Sequence, residues 1–283
     1  MQIRDLLHRA TQQLAESSDS ARLDAELLLA HCLNKPRSYL FTWPEAEPDS
    51  AQLNCFDNLV QQRITGQPVA YLLGYREFRD LKLNVTRDTL IPRPETELLV
   101  ETALEFLSGN TDSRILELGT GSGAIALALA KELPAAHITA CDISTAALAV
   151  AQDNAGQYQL NNINFLQSDW FSNIPTNQPF DLIISNPPYI ADNDPHLNQG
   201  DVRFEPAGAL VSGHDGLNDI KQLINQSVNY FKQDGILMFE HGYDQGEKTT
   251  ALMRAAGYKD TRCIKDLAGH DRITLGQCPL LPR

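Results

Sequence analysis

The sequence predicts an α/β chain: a doubly wound, mostly parallel sheet preceded by a small all-α amino-terminal domain. Three observations carry this. Apolar residues at helical spacing fill about the first 70 positions; strand-length apolar runs alternate with helical segments from Pro94 onward; and one such run opens directly into a glycine-rich turn. The 283 residues give room for two domains with ample core. The expected division is a helical substrate-recognition bundle over 1–70, a hairpin linker over 71–90 and a catalytic domain over 91–283.

In order along the chain, Ile3, Leu6, Leu7, Ala10 and Leu14 repeat at the spacing of one helix face. Asp19 or Ser20 can cap a second helix containing Leu23, Leu27, Leu28 and Ala30. Ser50 can cap a third through Leu53, Phe56, Val60 and Ile64, which Gly66 ends. The runs 69–73 and 81–85 are expected to pair as a hairpin with Gly74 in the bend. A helix follows from Pro94 through Leu98, Leu99 and Phe106, with proline in its permissive first turn and acids near its positive end. Strands are expected at 114–118, 137–141, 162–167, 180–185 and 235–240, then a closing pair at 262–266 and 271–275. The connection over 191–215 is long, and loops of that length tend to be lids or binding loops.

Two segments carry chemistry. After the strand at 114–118, Gly119-Thr120-Gly121-Ser122-Gly123 reads as a turn opening a small-residue helix from Ala124, as in a doubly wound nucleotide site. Glycines let the backbone approach a ligand closely, and Asp142, ending the next strand, can accept both hydroxyls of a ribose. The loop alone leaves a nicotinamide dinucleotide open, with Ala124 in the last place of that pattern.

The second segment, Asn186-Pro187-Pro188-Tyr189, directly follows an apolar strand, and ligands of open α/β sheets sit beyond the carboxyl ends of such strands. Asn186 offers a side-chain carbonyl and Pro187 a backbone carbonyl without an N–H, so two acceptors can converge on the hydrogens of one planar NH₂. Pro188 biases Pro187 to an extended conformation, and the Tyr189 ring can lie against a flat group. The motif holds no strong base or nucleophile. It suits positioning of a weak nitrogen nucleophile toward an electrophile brought by a cofactor; a Pro-rich turn ending a strand is the plain structural alternative. A hydride transferase has no clear use for a two-acceptor clamp, whereas S-adenosylmethionine carries an electrophilic methyl that needs only an aligned nitrogen.

Charge and composition narrow the substrate. The formal net charge is −13; residues 1–80 carry 8 Lys and Arg against 11 Asp and Glu, and the rest 15 against 25. Neither part is the basic clamp that duplex binding needs, since phosphate contacts dominate nucleic-acid affinity. This weighs against an adenine-amino DNA methyltransferase, although the same tetrapeptide can grip the exocyclic amine of a flipped base. An acidic surface can instead attract a basic protein partner. Five cysteines without a C-x-x-C pair argue against a zinc ribbon or disulfide framework and for a reducing cytosol. No H-E-x-x-H spacing suggests a metal, and neither a signal peptide nor an apolar run of membrane-spanning length is evident, so a cytoplasmic protein is expected.

The ordered set of segments at 117–123, 167–171, 185–190 and 201–206, with 91–97 and 240–242, resembles the PrmC/HemK family of peptide-chain release factor N(5)-glutamine methyltransferases, essentially over the whole chain. That resemblance implies a class I S-adenosylmethionine-dependent methyltransferase with a Rossmann-like, mostly parallel seven-stranded sheet. It implies methylation of the side-chain amide nitrogen of the glutamine in the Gly-Gly-Gln motif of bacterial class I release factors; related enzymes acting on a ribosomal protein share the tetrapeptide. Carried over by position, Gly119, Thr120, Gly121, Ser122, Gly123 and Asp142 would hold the cofactor's amino-acid and ribose parts. Trp170 would lie beside the cofactor, Asn186 would touch both ligands, and Pro187, Pro188 and Tyr189 would complete the glutamine pocket. Asp169 can accept from an adenine amino group or merely cap. His241 is either a proton acceptor or structural, and Arg203 with Glu205 can brace the long loop by an ion pair.

Overall fold

The computed structural model describes residues 1–110 and 112–279, so Thr111 and the last four positions of the expected 91–283 domain lie outside the described residues. The chain divides into two compact units: Met1–Tyr75 with Pro195–Phe204, and the remaining described residues.

In the first unit, α1 (Ile3–Leu14), α2 (Ala21–Leu33), α3 (Arg37–Thr42), α4 (Ser50–Ile64) and α5 (Val69–Leu73) pack around Leu6, Leu14, Leu28, Leu29 and Phe56, all fully buried. The cap of α4 is Asp49, not Ser50: its carboxylate accepts from the Gln52 N–H at 2.8 Å while Gln52 Oε1 accepts from the Asp49 N–H at 3.0 Å, a reciprocal capping box. The run 69–73, expected as a strand, is the helix α5. Pro68 presets its entry and Gly74, at φ 78°, ends it; a five-residue apolar run fits either period, and the end residues decide. Segment 195–204 is tied down by Arg63, whose buried guanidinium donates to Asp24 Oδ2 and Asp201 Oδ1, both at 2.7 Å, and to the Gln67 carbonyl at 3.0 Å. Arg203 donates to the Thr65 carbonyl at 3.1 Å and lies over the Phe204 ring; a Cβ at Gly66 would collide with its guanidinium.

The hairpin itself is β1 (Tyr75–Phe78) and β2 (Leu81–Asn84), turning at residues 79–80 rather than at Gly74. After α6 (Thr96–Phe106) the alternation runs β3 (Arg114–Leu118), α7 (Ala124–Glu132), β4 (His137–Asp142), α8 (Thr145–Gln157), β5 (Ile163–Gln167), β6 (Phe180–Ser185), α9 (Asn218–Ser227), β7 (Phe231–Glu240), α10 (Gly246–Ala255), β8 (Lys259–Lys265) and β9 (Asp271–Gln277). The seven strands lie in the order β5-β4-β3-β6-β7-β9-β8; β5 to β7 are mutually parallel and β9 is antiparallel to both neighbours. Alternate residues feed two cores. Ile115, Leu182, Ile184 and Met238 pack with α6 and α7, while Leu116, Ile183, Leu237 and Phe239 pack with α9 and α10. Among the described residues, no helix is long and apolar enough to cross a membrane.

Candidate active site

The strand order reverses between β3 and β6, and crevices at such switch points are where ligands of open α/β sheets bind. Leu118 and Ser185 are register partners there, and the Ser185 hydroxyl donates to the Leu118 carbonyl at 2.7 Å. Gly119 and Asn186 therefore leave the sheet side by side.

The glycine loop is held from beneath by Glu117. Its buried Oε2 accepts from the Thr120 hydroxyl at 2.7 Å and the Ala126 N–H at 3.0 Å. Burial pushes its pKa up to about 8 against those two hydrogen bonds, with the Asp142 charge adding to the rise. Asp142 accepts the Gly121 N–H on one oxygen and the Ser144 N–H on the other, each at 2.9 Å, which leaves lone pairs on both. Gly123 stands at φ 86° as the α7 N-cap, and a Cβ there would lie 2.5 Å from Leu127 Cδ1.

A cavity of about 490 Å³ opens above the loop, lined by Gly119, Gly121, Asp142, Trp170, Asn186 and Pro188 among others. Its size is that of a small-molecule site. A recess of about 50 Å³ shares Gly119, Gly121 and Asn186 with it and adds Thr120, Ser122, Glu117, Arg93 and Thr96. Gly123, Pro187 and Tyr189 line neither: Gly123 begins α7, Pro187 is buried, and Tyr189 packs half-buried into the core beneath α9. Trp170 sits in the left-handed region at φ 47°, its carbonyl accepting from the Ser168 hydroxyl at 2.7 Å. Ile143, 64% exposed, is an apolar side chain left open on the cavity wall beside Asp142. An adenosine cofactor fits this donor set: a carboxylate with free lone pairs for the ribose, an apolar side chain and an indole for the base, and glycine backbone for close approach.

Sequence reasoning missed a buried network under Asn186. Asn186 Nδ2 donates to Thr96 Oγ1 at 3.0 Å, the Thr96 hydroxyl donates to Glu240 Oε2 at 2.7 Å, and the Tyr189 hydroxyl donates to Glu240 Oε1 at 3.2 Å. Burial pushes the Glu240 carboxyl up, opposed by hydrogen bonds from Thr96 and Tyr189. Burial and the Glu240 charge hold the Tyr189 phenol protonated well above its usual range. The signal was an acid ending the apolar run 236–239 at the same sheet edge as Asn186. His241 is structural: its Nδ1–H donates to the Gly242 carbonyl at 2.8 Å, Nε2 accepts from Thr274 at 2.9 Å, and burial lowers its pKa. Glu205 is buried, pairs with Arg93 and accepts the Ile91 N–H at 3.1 Å, fixing one end of the long loop, whose Pro206 and Ala209 line the cavity.

Residues 5–74 match the family described as the PrmC N-terminal domain, and residues 94–211 the methyltransferase small domain. Among solved structures, a methyltransferase from Pyrococcus furiosus superposes with a TM-score of 0.53 at 16% identity, over 79% of this chain and 100% of that one. The hMettl16 catalytic domain, solved with a MAT2A 3'UTR hairpin, does so with a TM-score of 0.58 at 16% identity, over 77% and 81%. At that identity these two speak for the fold alone. The release factor glutamine methyltransferase of Aliivibrio fischeri is 48% identical over 98% of both chains. That of Vibrio cholerae is 49% identical over 96% of this chain and 95% of its own, and that of Pseudomonas aeruginosa 50% over 92% and 94%. Since such matches run nearly end to end through the bundle, the glycine loop and the Asn186 segment, the chain belongs to the release factor glutamine methyltransferase family and has the Rossmann-like fold of class I S-adenosylmethionine-dependent methyltransferases.

Proposed function

We propose that this chain methylates the side-chain amide nitrogen of a glutamine in a peptide-chain release factor, the glutamine of the Gly-Gly-Gln motif of the bacterial class I factors, and so supports translation termination. One observation supports this most: Asn186 Nδ2 gives one hydrogen to Thr96 Oγ1 at 3.0 Å, an orientation that leaves Oδ1 as the amide's acceptor for the cavity. An acceptor there suits a substrate nitrogen that carries hydrogens. Gly119 to Ser122 and Asp142 hold the cofactor's amino-acid and ribose parts, with Gly123 shaping the loop as the α7 N-cap; Trp170 and Ile143 flank its base; Pro188 lines the cavity beside Asn186, and Tyr189 braces the segment from beneath through Glu240.

Bound S-adenosylmethionine supplies an electrophilic methyl group. The residues of the chain must do the rest, because an amide nitrogen shares its lone pair with the carbonyl; the peptide rotation barrier of about 18–20 kcal/mol measures that delocalisation. Asn186 Oδ1 and the Pro187 carbonyl accept the two N–H hydrogens, fix the direction of the nitrogen and stabilise positive charge as it grows there, and one of the two protons is lost to solvent after the transfer. Alignment at close range supplies much of the remaining rate. The bundle over 1–70 serves substrate recognition, and action on a translation factor places the enzyme in the cytoplasm.

The test is to incubate the protein with labelled methyl donor and, separately, purified release factor, a ribosomal protein and DNA, and to map the label by mass spectrometry. Label on the release factor glutamine is the expected outcome. Label on a nucleobase, or on the ribosomal protein alone, overturns the assignment.

A further inference from the structure

An asparagine amide has two ends of nearly equal size, one accepting and one donating, and a half-turn about χ2 exchanges them. For Asn186 that exchange would be decisive. With Oδ1 outward the site offers an acceptor to a substrate NH₂; with Nδ2 outward it would set donor against donor. Something must therefore choose the end.

The choice is made beneath the site, in a place closed to water. Thr96 and Glu240 are 4% and 1% exposed. While Glu240 accepts at both oxygens, as in this arrangement, the Thr96 hydroxyl gives its single proton to Oε2 at 2.7 Å, so only lone pairs are left facing Asn186. Asn186 answers with Nδ2 at 3.0 Å. Turned over in that arrangement, it would set Oδ1 against those lone pairs or strip Glu240 Oε2 of its donor, and an unsatisfied buried group is costly. The other oxygen of Glu240 takes the Tyr189 hydroxyl, so one carboxylate sets the polarity at both ends of the 186–189 segment.

We infer that Thr96, oriented by Glu240, is a positioning residue that fixes the acceptor end of the Asn186 amide toward the substrate and thereby selects a nitrogen bearing hydrogens. The inference rests on the proposed glutamine methylation but concerns residues that do not themselves react.

The test uses Thr96→Val, which keeps the shape and removes the hydroxyl, and Thr96→Ser, which restores it. In release-factor methylation, Thr96→Val lowers kcat by roughly 5- to 100-fold, the range for leaving one buried donor unpaired, and Thr96→Ser recovers it. The Kd for S-adenosylmethionine and KM for the release factor stay within about twofold, because the misdirected amide tells most where charge grows on the substrate nitrogen, in the transition state. In an Asn186→Ala background Thr96→Val has no further effect on kcat, since its route of action is gone. In the free full-length protein, the side-chain ¹⁵N–¹H resonances of Asn186 shift in Thr96→Val and return in Thr96→Ser.

An unchanged kcat in Thr96→Val, or an equal loss with and without Asn186, overturns the inference while leaving the function standing. Failure of the wild-type protein to methylate the factor overturns the function, and the amide resonances still decide the orientation. Should Thr96→Val not fold, Thr96→Ala carries the same comparison.

Discussion

Replacing Glu117 with glutamine removes a charge that the fold is built to suppress. The carboxyl is 1% exposed and held near a pKa of about 8, against 4.5 for an ordinary glutamate, chiefly because burial disfavours its ionised form. Between those two values the unfolded chain has lost the proton and the folded chain retains it. Stability contributed by the neutral carboxyl is thus whole below 4.5 and is lost as pH rises toward about 8. The slope is about −1.4 kcal/mol per pH unit, and over the whole interval the loss comes to about 5 kcal/mol. A glutamine side chain has the same shape and stays neutral, so Glu117→Gln should match wild type near pH 5 and exceed it increasingly toward pH 8. Urea unfolding followed by Trp170 fluorescence reads this, in a Trp43→Phe background because Trp43 is the other indole and is exposed. Parallel stability curves for the two proteins between pH 5 and 8 would refute the reasoning.

Asn186→Ala should cut kcat for release-factor methylation by about 100-fold or more, as loss of one aligned partner of developing charge does, while calorimetry finds cofactor affinity only modestly reduced. Asp142→Ala takes away the acceptor of the Gly121 and Ser144 N–H groups as well as the proposed ribose partner, so the cofactor Kd should rise by roughly 10-fold or more; an unchanged Kd contradicts the ribose role. Arg63→Ala leaves Asp24 buried without its cation and should destabilise the first unit by about 3–5 kcal/mol, with limited proteolysis moving to 195–204. Gly123→Ala combines a left-handed φ with a clash on Leu127 and should lose about 1–3 kcal/mol of stability by urea unfolding.

The parallel sheet was legible because most of its strands are short, largely apolar runs, and the two feeding the site, 114–118 and 180–185, end where the structure ends them; β7 begins at Phe231, four residues before the expected 235, because Lys232, Gln233 and Asp234 break the apolar pattern. The positions of the glycine loop and Asp142 were legible for the same reason: one directly follows its strand and the other ends one. What stayed hidden depends on distance in sequence. Thr96 meets Asn186 across 90 residues and Glu240 across 144, and nothing in the local pattern of either announces that contact. Segment 195–204 joins the amino-terminal unit through Asp201 and Arg63, which are 138 residues apart, so a division by contiguous ranges could not find it. The misread at 69–73 is local instead: five apolar residues carry no period, and Pro68 and Gly74 settled it as a helix.

The central claim is the two-acceptor grip on a carboxamide, and a crystal structure of the protein with demethylated cofactor and a Gly-Gly-Gln peptide tests it most directly. The glutamine nitrogen should lie about 2.7–3.2 Å from both Asn186 Oδ1 and the Pro187 carbonyl, with its free side turned to the cofactor sulfur. A glutamine bound with its carbonyl oxygen toward Asn186, or with its nitrogen beyond hydrogen-bond reach of both acceptors, would contradict it.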